Sequence, residues 1–197
     1  MKNKITIRTP RLLIQPATQK DLKFLLKLWN DPEIMRYAGF AKNWTDTQIK
    51  EWYEKYKKRL AKYGNTEIQF VHKLKEGKTI GESRLGRLKP DWSCRNYSAP
   101  KDKLVLMTDI KLAKSFWNKG YGTEAMKAIV RYVFTETKAD ILLVPPHRDN
   151  LPAIRVYEKA GFRKTAGIWY GYHLIYEIDS KDYPKFSKNS KLTKEKE

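Results

Sequence analysis

Cysteine, histidine and acidic residues are all scarce in this sequence, and each shortage removes a class of chemistry. Cys94 is the single cysteine, so no disulfide can form within the chain. The three histidines, His72, His147 and His173, lie far apart, and no Cys/His group has the spacing of metal ligands, so no metal is expected. Ten glycines and nine prolines in 197 residues are too few for a fibrous or low-complexity chain. No run approaches the roughly 18 apolar residues that a membrane span needs. Residues 1–8 are charged where a signal peptide would be apolar. The expectation is a soluble, cytoplasmic protein with no membrane partner.

What the chain has in excess is positive charge: 41 Lys and Arg against 22 Asp and Glu, a formal net charge of +19. The first 100 residues hold 22 of the basic and 10 of the acidic side chains, so the excess is spread along the chain. Such a field favours anionic partners: nucleic acid, acidic proteins or a phosphorylated cofactor. A strongly solvated surface accounts for the same charge without any partner. Hydrophobic residues at 41% and charged residues at 32% suit one globular domain, placed at 1–186. The polar, Lys-rich stretch 187–197 reads as a disordered tail.

Periodicity gives a coarse map. Residues 6–14 read as a strand. Thr18 to Asp21 resembles a capping box ahead of Leu22, Leu25, Leu26 and Trp29 at helical spacing. Thr45 to Gln48 opens a second amphipathic helix carrying Ile49, Trp52, Tyr53, Tyr56 and Leu60, with Gly64 as its stop. Alternation then marks a strand near 68–72, a turn at 76–78 leads into another near 80–85, and a third is read at 104–110, with a long loop between 87 and 103. A helix with Met126, Ile129, Val130 and Val133, a buried strand at 141–144, a short helix opened by Asn150 and two final strands complete a mixed α/β pattern.

Two glycines, Gly120 and Gly122, stand one residue apart between an apolar strand and an amphipathic helix. Glycine lets the backbone come close to a ligand, and a helix start offers unpaired N–H groups with partial positive charge, a combination suited to pyrophosphate. A tight turn with no ligand is the alternative reading of this segment alone. A P-loop would need Gly-Lys-Ser/Thr, but Thr123-Glu124 follows Gly122. A dinucleotide fingerprint tolerates Ala125 at its third glycine, yet no ribose-binding carboxylate is evident about 20 residues on.

The second element is Asn150-Leu151-Pro152-Ala153-Ile154-Arg155-Val156-Tyr157-Glu158-Lys159-Ala160-Gly161-Phe162, directly after the buried strand. With it the chain resembles the GCN5-related N-acetyltransferase (GNAT) superfamily. Gly120 and Gly122 match that superfamily's glycine turn, and Asn150, Ala153, Tyr157, Gly161 and Phe162 match its later signature. Nearer the start, residues 9–14 and 29–37 are similar to the branch containing the ribosomal-protein N-terminal acetyltransferases. Residues 157–162 are also similar to aminoglycoside 6'-acetyltransferases.

The resemblance implies an α/β fold, a mixed and mostly antiparallel central sheet splayed between two strands and flanked by helices. It implies acetyl-CoA as co-substrate and direct attack by an amine in a ternary complex. Backbone amides of Asn118, Lys119, Gly120, Tyr121, Gly122 and Thr123 would hold the pyrophosphate. The strand end at Ile110 and Leu112 would pair with the pantetheine arm and polarise the thioester carbonyl. Asn150 would contact the cofactor, a role compatible with capping a helix. Tyr157 would protonate the departing thiolate; a core tyrosine is its plain alternative. Trp117 stands where many relatives have Gln or Arg.

Pro145 occupies the place where many relatives have a carboxylate, so no base is inherited there. Asp109 is the substitute candidate, followed by Glu82 and His147. At pH 7 an α-amine of pKa about 7.7 needs about 1 kcal/mol to be neutral, against about 4.6 kcal/mol for a lysine of pKa about 10.4. A missing base therefore leans toward a low-pKa acceptor, such as a protein or peptide N-terminus, and the resemblance implies a ribosome-associated one. Tyr37, Phe40, Trp44, Trp169, Tyr170 and Tyr172 are candidate lining groups on the acceptor side. An aminoglycoside or other small amine is the alternative acceptor, opposed by the +19 charge. From another class, a nucleic-acid-binding module on the same fold would use the basic first half with Trp52, Tyr56, Tyr63 and Trp92 interleaved.

Overall fold

The computed structural model describes residues 5–38 and 43–183; Phe40 and the tail expected at 187–197 lie outside them. The chain order is β1 (Ile7–Arg8), β2 (Leu12–Pro16), α1 (Leu22–Trp29), α2 (Pro32–Met35), α3 (Asp46–Tyr63), β3 (Ile68–Leu74) and β4 (Thr79–Arg87). A small hairpin, β5 (Ser93–Cys94) and β6 (Tyr97–Ser98), precedes β7 (Val105–Thr108), β8 (Lys111–Leu112), α4 (Tyr121–Glu136), β9 (Ile141–Val144), α5 (Leu151–Lys159), β10 (Arg163–Trp169) and β11 (His173–Asp179). The main sheet runs β1-β2-β3-β4-β7-β9-β11-β10, with β8 also on β4. Its described pairs are antiparallel except β7 with β9, which is parallel.

Three segments differ from the periodicity reading, each for a local reason. The strand expected at 6–14 is a hairpin: Pro10, with fixed φ and no N–H, falls in the turn, and Thr9 N–H donates to the Leu12 carbonyl at 3.0 Å. The strand expected at 104–110 breaks after Thr108. The loop expected at 87–103 folds into β5–β6, turned by Asn96 at φ 61°, and its Trp92, Tyr97 and Ala99 pack on Val105, Ile141, Leu143 and Ile175. A run rich in Pro and Ser hides such a hairpin because its strands are two residues long and its packing partners lie far along the chain.

Both capping boxes form. The Asp21 carboxylate accepts from the Thr18 N–H at 2.9 Å and hydroxyl at 2.8 Å, while Thr45 and Gln48 exchange bonds at 2.9 and 3.2 Å. Gly64, at φ 59°, ends α3. On one sheet face, α4 and α5 bury Met126, Ile129, Val133 and Ile154 against Phe70, Leu85, Leu106 and Leu142. Fully buried side chains of this size contribute about 1.5–3 kcal/mol each, so this face fixes where α4 begins. On the other face α1, α2 and α3 bury Leu25, Leu28, Met35, Ile49 and Tyr56 against Val71. Next to them on that face lies the β5–β6 hairpin. The two groups form separate clusters, and residues of both line the cavity described below.

Candidate functional site

The β7–β9 pairing runs from Val105↔Ile141 to Met107↔Leu143 and stops. Beyond that point the chain of β7 turns toward β8 and the sheet opens. Opposite the opening, β4 keeps one register across the break, with Leu85↔Thr108 before it and Glu82↔Lys111 after it. Between them the ladder is interrupted: the Arg84 N–H donates to the Asp109 carboxylate at 3.0 Å, a side chain where a main-chain carbonyl would stand. Ala113 N–H donates to the Ile80 carbonyl at 2.9 Å, so alternation turns the main-chain groups of Ile110 and Leu112 away from β4 toward the opening. The Leu112 carbonyl there already accepts from the Trp117 indole at 2.7 Å, which gives Trp117 a structural task. A carbonyl has a second lone pair, so the edge remains usable.

The glycine turn lies beside this edge. Asn118 at φ 57° and Gly120 at φ 80° curl the chain, and α4 starts at Tyr121 without a side-chain cap. No bond to the amides of Asn118, Lys119, Gly120, Tyr121, Gly122 or Thr123 is found among the described residues; the first intrahelical bond is Glu124 N–H to the Gly120 carbonyl at 3.0 Å. Main-chain amides ahead of that bond, at the positive end of a helix, are the material of which an anion site is built. A Cβ on Gly122 would lie 3.4 Å from Val156 and 3.7 Å from Leu112, so a larger side chain there fills the joint between α5 and the strand edge. These features fit a diphosphate-bearing cofactor.

Arg11, which sequence reading left out of the site, locks this turn. Its guanidinium bonds Glu124 at 2.6 Å and the Lys119 carbonyl at 2.9 Å, and lies 4.2 Å from the centre of the Tyr121 ring. Arg11 and Thr9 hold the Glu124 carboxyl below the usual range against the opposing effect of its burial. Only the hairpin at 9–11, folded back on α4, brings Arg11 here, and the sequence carries no sign of that contact.

Asn150 caps α5, its side-chain oxygen accepting from Ala153 N–H at 3.2 Å, and it also lines the cavity. Tyr157, 4% exposed, belongs to the α4–α5 core yet reaches the cavity through the sheet opening, its ring edge-on to Phe162 at 5.8 Å. Burial is the main force pushing its phenol pKa up, with the Asp109 charge adding to it, while Lys111 and a backbone hydrogen bond from Ile110 oppose. Tyr157 is therefore a protonated phenol throughout the neutral range.

The cavity, about 600 Å³, has a polar floor and aromatic walls. Trp29, Trp44 and Trp52 stand on one side, with Trp29 4.8 Å from Trp52 and 5.5 Å from Trp44. Trp92, Trp169, Tyr170 and Tyr172 stand on the other, and His147 lies between Tyr37 at 5.2 Å and Tyr172 at 5.1 Å. Tyr170 at φ 49° and Gly171 at φ 76° turn the β10–β11 hairpin that carries this second wall. Five of the six lining groups expected from sequence thus reach the cavity, and the sixth, Phe40, is not described.

In the floor the Lys111 ammonium lies 3.0 Å from Glu82 and 2.7 Å from Asp109. Gln69 and the Trp29 indole also donate to Glu82, the latter at 3.3 Å. Burial raises the Glu82 carboxyl pKa against the pull of Lys111. Asp109 goes the other way: its burial is outweighed by Lys111 and by the Arg84 amide and charge, which hold it below the usual carboxylate range. Asp109 is the more open of the two, with 39% of its side chain exposed against 1% for Glu82. Among the described residues no group of His, Cys, Asp and Glu could hold a metal, and no helix is long and apolar enough to cross a membrane.

The profile of the acetyltransferase (GNAT) domain matches residues 11–163. Among solved structures, the spermidine N-acetyltransferase of Vibrio cholerae in complex with CoA and spermine superposes with a TM-score of 0.70 at 20% identity, over 89% of this chain and 99% of that one. An aminoglycoside acetyltransferase, AAC(6')-Ib in complex with coenzyme A, gives 0.68 at 21% identity over the same shares. At these identities the likeness is one of fold. The FsC-acetyl coenzyme A-N(2)-transacetylase of Aspergillus fumigatus is 24% identical over 139 residues, which cover 69% of this chain and 55% of that relative's length. With the profile spanning most of the sequence, the glycine turn and the opened sheet have a family: this chain belongs to the GNAT acetyltransferases, enzymes that take their acetyl group from acetyl-CoA.

Proposed function

We propose that this protein acetylates a single amine on an otherwise weakly charged body, a protein or peptide N-terminus being the best fit. One observation carries the reading. The cavity that meets the cofactor edge is walled by aromatic rings, and both carboxylates of its floor are already bonded to Lys111. An apolar N-terminal residue fits such walls, whereas a polycation finds no carboxylate without a donor already on it.

The amides from Asn118 to Thr123 hold the pyrophosphate, and the edge at Ile110 and Leu112 receives the pantetheine arm. The phenol of Tyr157, kept protonated by its burial, is the proton source for the departing thiolate; acid assistance of this kind is worth about 10²–10⁴ in rate. Asp109 takes the amine's proton late. Its lowered pKa makes it a poor base toward a free ammonium ion, but an N–H becomes far more acidic once nitrogen has bonded to the acetyl carbon. The acceptor must therefore arrive neutral, which an α-amine of pKa about 7.7 does readily.

The likeness to the ribosomal-protein N-terminal acetyltransferase branch supports a protein acceptor, and ribosome association would suit the +19 charge. The aminoglycoside acetyltransferase among the structural neighbours favours a small polyamine drug as the second reading. A CoA-release screen over free-N-terminal peptides, polyamines and aminoglycosides decides between them. Turnover with peptides above all others is expected; turnover confined to polyamines or aminoglycosides would overturn the peptide reading.

A further inference from the structure

Glu82 and Asp109 would, by themselves, make the floor of this cavity a trap for polycations. Lys111 stands between them, within 3.0 Å of one and 2.7 Å of the other, its side chain only 15% exposed. Each carboxylate oxygen in the floor already has a protein donor. On Glu82 one oxygen takes Lys111 and the Trp29 indole, and the other takes Gln69. On Asp109 one takes the Arg84 amide and the other Lys111. Arg84 and Arg87 also belong to the lining, which has no carboxylate besides Glu82 and Asp109 among the described residues. The remaining walls are aromatic and offer an amine a face but no counter-charge.

We propose that Lys111 is the specificity-determining residue of the acceptor site: a built-in cation that occupies the place a substrate's second ammonium group would need, and so excludes linear polyamines and aminoglycosides. The inference rests on the acetyl-transfer reading above and sharpens it, since it assigns the exclusion of polycations to one side chain. A lysine that merely neutralised two acids for folding would leave acceptor preference untouched when replaced. A filter would not.

The test compares the full-length protein with Lys111→Met in two ways: direct titration of spermine by calorimetry, and the ratio of kcat/KM for spermine to that for a neutral tripeptide with a free N-terminus. Both are expected to shift toward spermine by about tenfold or more, the change that one unit charge makes at about 10 Å in an effective dielectric of 20. The gain should shrink at high salt, as screening requires. Should Lys111→Met fail to fold, Glu82→Gln/Lys111→Met carries the same test, because it removes the most buried carboxylate together with its partner and leaves Asp109 exposed to the ligand. The triple variant that adds Asp109→Asn should lose the gain. Equal spermine binding by the wild type and both Lys111→Met variants, or a gain that survives the triple change, overturns the filter. Absence of CoA release by the wild type with every amine would instead overturn the acetyl-transfer reading, and the calorimetric comparison would still decide the role of Lys111.

Discussion

The amide cradle at residues 118–123 and the cavity floor around Lys111 lie at two ends of one sheet opening, but they are made of different material. The cradle is main chain: two left-handed residues, Asn118 and Gly120, and a helix start with free N–H groups. The floor and walls are side chains drawn from β3, β4, β8, the first three helices and the β10–β11 turn. In the function proposed above, main-chain donors take the diphosphate of the cofactor, and they need only small residues in a fixed order. Side chains set the part that varies, the acceptor. The same division explains why the glycine turn announces a cofactor while nothing comparable announces an amine.

If that division holds, a substitution at one end should leave the other intact. Gly122→Leu is the harshest break. Its side chain would enter the joint between Val156 and Leu112, and loss of measurable acetyl-CoA binding by calorimetry is expected, with the folded state retained by circular dichroism. Undiminished affinity would show that the turn is not the cofactor's seat. Tyr157→Phe comes next and tests the junction. It should lower kcat by about 10²-fold or more while acetyl-CoA affinity stays within a few-fold. Because burial raises the Tyr157 pKa, the phenol keeps its proton as pH rises, and wild-type kcat should show no falling limb between pH 8 and 10. A limb that falls there and vanishes in the phenylalanine variant would mean the phenol titrates after all.

The two ends were unequally legible in sequence for the same reason. Gly120, Gly122, Asn150 and Tyr157 sit in one segment of about 40 residues whose local spacing is set by a strand, a turn and two helices, so order in the chain maps onto order in space. Glu82 and Lys111 are paired only because β8 returns to β4, and Arg11 meets Glu124 only because the first hairpin folds onto α4. Neither contact leaves a mark in local periodicity. The helices and most strands were readable because each buries one face, whereas the break after Thr108 was not. Residues 104–110 read as one strand in sequence, and only the Asp109 carboxylate bonding to Arg84 shows where the ladder stops.

Asp109→Asn probes the floor more gently. As a carboxylate held below the usual range, Asp109 is ionised across the assay range, so its titration cannot produce a rising limb near neutrality. That limb belongs to the acceptor amine. With a peptide acceptor, kcat/KM should rise with an apparent pKa near 7.7–8.0 in both the wild type and Asp109→Asn, while kcat falls by about tenfold in the variant. Removal of the limb by the substitution would make Asp109 the base for the free ammonium and would contradict its lowered pKa.

The smallest effect is expected at the rim of the acceptor side. Tyr172, 39% exposed, leans on His147 at 5.1 Å and faces the cavity from the β10–β11 turn. An aromatic contact of this kind is worth about 0.5–1.5 kcal/mol, so Tyr172→Ala should raise the acceptor KM by a few-fold to about tenfold. Its kcat should move little, because the ring contacts found for Tyr172 among the described residues are with His147 and His173. Acetyl-CoA affinity should not move at all, since the cradle shares no side chain with this wall. A matching loss of cofactor affinity would mean that the two ends are coupled through the β10–β11 turn, and the division between main-chain and side-chain recognition would then fail at its most exposed residue.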